Sequence, residues 1–328
     1  MRLLPCCKTL ILALACLAGA ATLPAAAQNT YPSKPIHLIL PFPPGGPTDV
    51  VSRALGERLG QAWKVPVVVE NRPGGNSFIA TEMVAKAAPD GYSLLVAFFG
   101  TLVVNPSLYD KLPYDPVKDF APITTVATLP LMLVVRPDSP IHSISDVITL
   151  SKAQPNRFSF ASGGAGQGAH LAGELLKSMA GISMTHVPYK GNAPAIVDLL
   201  GGHVDMIFDG MTSSLPHVRS GKLRAVAVST KKRASAMPEL PTVAESGLPG
   251  FDVGSWFGIL APAGTPAPVV DKLNAELVRI IDSPDMQQLL AKLGLDPMPM
   301  SPQAFADYMR QETGKWTDVV HKANIKLD

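Results

Sequence analysis

IHLILPFPPGGPTDVVSRAL (36–55) is the stretch from which the architecture can be read. A short apolar run (36–42) enters a proline- and glycine-rich turn, PFPPGGPTD (41–49), and Val50, Val51, Ala54, Leu55, Leu59 and Ala62 then recur at helical spacing. Strand, tight turn and helix follow one another, the unit from which α/β layers are built. Such a turn presents backbone N–H groups at a helix N-terminus, where the helix dipole also favours an anion, and the Thr48 hydroxyl can cap that helix. A lone Gly-Gly pair can equally be an ordinary tight turn.

The device recurs further along the chain. The strand RFSFAS (157–162) runs into Ser162-Gly163-Gly164-Ala165-Gly166-Gln167-Gly168 and then into the helical segment AHLAGELLKSM. In an open α/β sheet, ligands sit outside the carboxyl ends of the strands, so two such turns would face one cleft. Ser162 adds a hydroxyl, and His170 lies in the first helical turn. Three more loops end strands: Phe99-Gly100-Thr101, Tyr189-Lys190-Gly191 and Phe208-Asp209-Gly210. Thr101 and Tyr189 offer hydroxyls. Asp209 would welcome a ligand ammonium and repel a pure carboxylate if it faced the cleft, and it could instead cap a helix.

Between these turns the chain alternates apolar β-branched runs with helical stripes, which predicts an α/β fold with a largely parallel sheet. One such unit spans 36–99 and a second 129–229. The closing segment offers FDVGSWFGILAP (251–262) and amphipathic helices over 266–281, 284–293 and 302–323, which need a sheet to cover. With 328 residues and 47 % hydrophobic residues the chain exceeds the roughly 250–300 residues that one core serves, so two lobes are expected. The chain would cross back, with lobe 1 at 29–128 plus 254–328 and lobe 2 at 129–253. Residues 123–130 and 251–258 would be the two connections, a hinge that closes on a ligand. Trp256, at a crossing, would report closure by its fluorescence.

The first 27 residues read as a secretory signal: Arg2 and Lys8, the apolar run LILALACL, and Ala25-Ala26-Ala27 at the cleavage site. Cys6, Cys7 and Cys16 all lie in it, leaving a mature chain with no disulfide and no thiol; Cys16 imperfectly resembles a lipidation site. Cleavage near Ala27 brings the formal charge from +2 to zero, so neither nucleic acid nor anionic lipid is an expected partner. An exported, soluble protein follows. Gly164-Ala-Gly166-Gln-Gly168-Ala169 satisfies a loose dinucleotide fingerprint, but the following strand ends in Tyr189-Lys190 without the acidic residue that pattern needs. The seven histidines form no metal-ligand spacing, and no GxSxG elbow exists, so no cofactor, metal or catalytic residue is assigned; a secreted hydrolase remains the rival outside the binding class.

The mature chain resembles the substrate-binding proteins of tripartite tricarboxylate transporters, the TctC or Bug type. The resemblance rests on PFPPGGPTD, NRPGG (71–75), AKAAPDGY (85–92), LPYDPVKDFAPI (112–123), HLAGELLK (170–177), HVPYKG (186–191), LLGGHVDMIFD (199–209), GKLRAVAV (221–228), LPTVAESGLPGF (240–251) and WFGILAPAGTP (256–266), in order along the chain. It implies a two-lobed periplasmic binding protein fold of the second type. It implies, too, a monomer that captures a small carboxylate through backbone amides and ordered waters and delivers it to a membrane permease. Carried onto matching positions, the grip is Pro44-Gly45-Gly46 with Thr48 and Asp49, and Ser162, Gly163 and Gly166 with His170. An amino-acid or amide binder, or an orphan feeding a sensor, is the alternative within the class. This sequence departs from the family at Pro43 and Pro47, which replace Ala and Gly, and at Phe78, where a small Asn is usual. With Phe98 and Phe99 in the same lobe, an apolar or aromatic carboxylate is expected.

Overall fold

β1 (Ile36–Leu40) lies between Pro35 and Pro41 and is buried along nearly its whole length, as a strand covered on both faces must be. Pro47 opens α1 (Pro47–Trp63) at a position whose N–H would find no partner, and Lys64 closes it in the left-handed region at φ 57°. β2 (Val67–Asn71), α2 (Phe78–Ala85) and β3 (Ser93–Phe98) complete the first alternation. β1 pairs in parallel with both β2 and β3. The computed structural model describes residues 31–325; the expected signal segment, its cleavage point and the three cysteines lie outside them. The described residues from Lys34 onward form one compact unit.

After β3 comes a wide π-helical turn (Gly100–Val104), buried from Thr101 to Val104, and then α3 (Asn105–Leu108). Neither has a periodic signature. β4 (Phe120–Val135) is a single strand of 16 residues, so the expected crossing and the strand after it are one element. The second alternation runs α4 (Ile144–Ala153), β5 (Ser159–Ser162), α5 (Gly168–Ala180), β6 (Thr185–Pro188), α6 (Asn192–Gly201) and β7 (Met206–Gly210), then α7 (Met211–Arg219) and β8 (Arg224–Val228). The chain ends with β9 (Gly254–Pro262), α8 (Ala267–Ile281), α9 (Pro284–Lys292), β10 (Asp296–Pro297) and α10 (Pro302–Lys322).

The sheet order β2-β1-β3-β9-β4-β7-β5-β6, with β8 and β10 on β4, corrects the largely parallel sheet read from the sequence. Each flank is parallel, with β5 between β6 and β7 mirroring β1 between β2 and β3. The centre is antiparallel because β4 leaves one flank and β9 returns to it, in register from Phe120 opposite Pro262 to Pro130 opposite Gly254. Register shifts beside Pro122 and Thr125 let β4 twist as it passes between the flanks. Helix α10 packs across β4, the π-helical turn and α5. Its fully buried Trp316 donates Nε1–H to Glu312 Oε2 at 3.0 Å and lies edge-on to Phe99 at 6.1 Å. Among the described residues no helix is long and apolar enough to cross a membrane.

Candidate functional site

Where β1 ends, the chain must turn within a few residues to start α1, and Gly45 makes the turn at φ +94°, a conformation that costs a residue with a Cβ. A carboxylate braces it. Asp49, only 3 % exposed, accepts the Gly45 N–H at 2.9 Å and two contacts from the Arg53 guanidinium at 3.0 and 3.1 Å. Asn71, at the end of β2, donates Nδ2–H to Asp49 Oδ1 at 2.9 Å and to the Phe42 carbonyl at 3.0 Å. Burial pulls the Asp49 carboxyl upward, but hydrogen bonds from Arg53, Gly45 and Asn71 outweigh it and hold the group below the usual aspartate range.

Replacing Asp49 by Asn is expected to cost about 1–2 kcal/mol at neutral pH, a modest figure because the Arg53 side chain is 50 % exposed and partly screened. The folded carboxyl is the stronger acid, so this stability is present above the unfolded value of 3.8 and is lost as pH falls through the folded one. Urea unfolding curves of wild type and Asp49→Asn should therefore converge in strong acid. A gap that stays constant down to about pH 2 would show that the carboxylate charge is not the cause.

The second turn, between β5 and α5, is built on close approach. A Cβ on Gly163 would stand 2.2 Å from Asn192 Oδ1 and 3.0 Å from the Asn192 backbone nitrogen, so only glycine fits against the start of α6. The Ser162 hydroxyl accepts the Gly164 N–H at 3.2 Å and lies 2.7 Å from His186 Nε2. Gly166 donates its N–H to His170 Nδ1 at 3.1 Å, which leaves the ring proton of neutral His170 on Nε2. The His170 ring stacks on His186, centroids 3.8 Å apart and planes within 7°, and His186 stacks on Phe160 at 4.9 Å. Burial, with the neighbouring His186 and Lys177 charges adding to it, depresses His170 to about 3. Burial and Lys177 bring His186 to about 4. Both rings are neutral at pH 7.

These turns border a cavity of about 730 Å³ at the carboxyl ends of the parallel strands. Phe42 and Pro47 of the first turn and Phe98 to Thr101 after β3 form one side, and Leu129, Leu131 and Ser255 of β4 and β9 the middle. Ala165 to Ala169, Asn192, Gly210, Thr212 and Ser213 form the side that belongs to β5, β6 and β7. Asn76 and Ser77, after β2, and Asn105, Leu108 and Tyr109, after β3, complete the wall. Asn76 and Ser77 are successive left-handed residues, φ 49° and 76°, a strain of about 1–2 kcal/mol each.

None of the described residues lining the cavity is Lys, Arg, His, Asp or Glu. Instead, Pro47, Gly168, Asn192 and Thr212 bring the first turns of α1, α5, α6 and α7 to it. First-turn N–H groups lack intrahelical acceptors and form the positive end of the helix dipole. An anion in the cavity would be held by these dipoles and by hydroxyls and amides, each hydrogen bond to a charged acceptor contributing about 1.5–3 kcal/mol.

Of the residues expected from the sequence, Gly100, Thr101 and Gly166 line the cavity. Pro44, Gly45, Gly46, Thr48 and Asp49 lie in the turn and helix start that carry Pro47 to the wall. Phe78 stands behind Tyr109, rings edge-on at 5.0 Å. Ser162, Gly163 and His170 support the second turn without lining the cavity. Tyr189 gives its hydroxyl to Asp198 at 2.6 Å, and burial together with that carboxylate pushes its pKa up to about 12. Asp209, 0 % exposed, accepts Asn192 Nδ2–H and the Ser214 hydroxyl at 2.6 Å each, and the Ser213 hydroxyl. It orients two wall residues and is not itself wall. Trp256, fully buried, packs on Phe305 at 5.6 Å and Tyr308 at 5.4 Å. Asn192 and Ser213 follow strand ends and so carried a detectable signal; Ser255 and Leu129, inside the crossings, carried none.

The family described as "Tripartite tricarboxylate transporter family receptor", TctC, matches residues 49–325. Protein BugT of Bordetella pertussis is 38 % identical over 300 residues, 91 % of this chain and 92 % of BugT. Among solved structures, "R. palustris Rpa4515 with adipate" superposes with a TM-score of 0.75 at 34 % identity, covering 91 % of this chain and 100 % of that one. MatC from Rhodopseudomonas palustris with bound malate gives a TM-score of 0.69 at 34 % identity, over 88 % of this chain and 100 % of MatC.

Proposed function

The chain belongs to the tripartite tricarboxylate transporter receptor family, TctC, and is a two-lobed periplasmic solute-binding protein and not an enzyme; on that premise we propose that it captures a small organic carboxylate in the cavity bordered by its two turns and delivers it to a tripartite tricarboxylate-type permease. The observation that carries the reading is the cavity wall itself, which has residues from the first turns of four helices and no charged side chain. That chemistry suits an anion. The relatives with adipate and malate make a carboxylate the natural class. Asp209, the residue that could have answered a ligand ammonium, is spent on Asn192, Ser213 and Ser214, which supports a carboxylate over an amino acid.

Capture proceeds by closure of lobe 1 (29–128 plus 254–328) on lobe 2 (129–253) about the paired strands β4 and β9, with a monomer as the working unit and residues 1–27 removed on export. The test is a thermal-shift screen of the purified, refolded mature protein against dicarboxylates, tricarboxylates, aromatic carboxylates and amino acids. Ligand at about 100 times its dissociation constant adds about 2.7 kcal/mol and should raise the midpoint by roughly 4 °C. Shifts confined to carboxylates are the expected result; shifts confined to amino acids, or to none of the panel, would overturn the reading.

A further inference from the structure

The wall that follows β2 and β3 differs in chemistry from the wall of helix N-termini. Asn76 Nδ2–H donates to the Tyr109 hydroxyl oxygen at 2.8 Å and approaches Asn105 Oδ1 at 3.4 Å. Among the described residues, no partner holds the Tyr109 hydroxyl proton or Asn76 Oδ1. The cavity is therefore offered one donor and one acceptor side by side, with no cation near them along its wall. The ring that carries the hydroxyl is fixed. Phe78 meets Tyr109 edge-on at 5.0 Å and Tyr114 at 5.9 Å, and Tyr114 is anchored by donating its hydroxyl proton to the Thr101 carbonyl at 2.7 Å. In the sheet order this wall lies on the far side of β9 and β4 from the β5 turn. Phe42, Phe98 and Phe99 form an edge-to-face series on the same side, at 5.8 and 5.0 Å.

We propose that Asn76 and Tyr109, with Phe78 as the positioning residue behind them, form a specificity subsite for an uncharged hydroxyl on the ligand's far end. The preferred cargo is then a hydroxylated monocarboxylate whose ring or chain lies along Phe42, Phe98 and Phe99. A second carboxylate would bring acceptors only, to a place that pairs a donor with an acceptor and supplies no countercharge. The proposal rests on the carboxylate-binding reading above and narrows it.

The experiment is isothermal titration of the mature protein with two matched series: benzoate, 4-hydroxybenzoate and terephthalate; hexanoate, 6-hydroxyhexanoate and adipate. In the series that fits, the hydroxylated member should bind about tenfold tighter than its parent and tighter than its dicarboxylate, since a site built to bond a hydroxyl rejects analogues lacking it. Tyr109→Phe should bring the ratio of hydroxylated to parent affinity to about one. Phe78→Ala should reduce that ratio in part, and restoring a ring with Phe78→Tyr should recover it. A dicarboxylate that binds tightest, or a Tyr109→Phe variant that keeps the ratio, overturns the subsite. So does failure of both series when another carboxylate class stabilises the protein. If no carboxylate of any class binds, the underlying reading falls instead.

Discussion

Acidification from pH 6.5 to pH 5 is expected to remove about 2–4 kcal/mol of stability, before the carboxylates begin to titrate. The cause is the stacked pair His170 and His186. Each has a folded pKa far below the unfolded value of 6.5, at about 3 and about 4. With both folded values depressed, the stability is complete above the unfolded value and is lost as pH falls toward the folded ones, at up to about 1.4 kcal/mol per pH unit for each ring. The geometry explains why the rings resist protonation. His170 Nδ1 already accepts the Gly166 N–H, so a proton there would set two donors face to face. A charge on either ring would sit 3.8 Å from its stacked neighbour. Glu174 Oε1, 3.8 Å from His170 Nε2, is taken by Lys177 at 2.8 Å. Urea unfolding at half-unit pH steps measures the slope, and His186→Gln should roughly halve it. Equal slopes in variant and wild type would remove the pair as the cause. Because the folded rings stay neutral down to about pH 4, Gly166 keeps its place on the cavity wall and the affinity of the folded protein for its ligand should hold across the same interval.

The fold was legible wherever a run of residues repeats with one period. α8 forms over Ala267–Ile281, within the 266–281 span its amphipathic spacing predicts, and the strands after Pro35 and after Arg157 form beside the turns that announced them. The parallel sense of the whole sheet was not legible, because strand direction at the centre depends on β4 and β9 pairing across more than a hundred residues of chain. The site divides the same way. Glycine-rich turns after strands are local, and they do border the cavity. Which atoms of a turn face inward is set by its neighbours: Asp49 takes the Gly45 amide, His170 takes the Gly166 amide, and Phe78 is covered by Tyr109. Polar residues chosen by type in the sequence thus became the supports, and plainer residues such as Pro47, Gly168 and Ser255 became the wall.

Asp209→Ala should be the most damaging single substitution at the site, lowering stability by about 3–5 kcal/mol and ligand affinity by at least about tenfold. The carboxylate is fully buried and serves three donors: Asn192 Nδ2 on one oxygen, and the Ser213 and Ser214 hydroxyls on the other. Ser214 is itself 0 % exposed, so its hydroxyl has no water to fall back on. Each donor left unpaired costs about 1–3 kcal/mol, and for a chain of this size the melting point should fall by roughly 5–8 °C. Asn192 and Ser213 lose their orientation at the same stroke, which couples the stability loss to the affinity loss. Asp209→Asn separates the roles. Its oxygen can keep Asn192 while its NH₂ meets the serine hydroxyls, which rotate to accept, so most of the stability and carboxylate binding should survive. Were Asp209 instead the counter-ion of a ligand ammonium, Asp209→Asn would abolish binding with the melting point unchanged. Differential scanning fluorimetry beside titration calorimetry on the two variants distinguishes these outcomes, because only a structural acceptor makes alanine ruinous and asparagine mild.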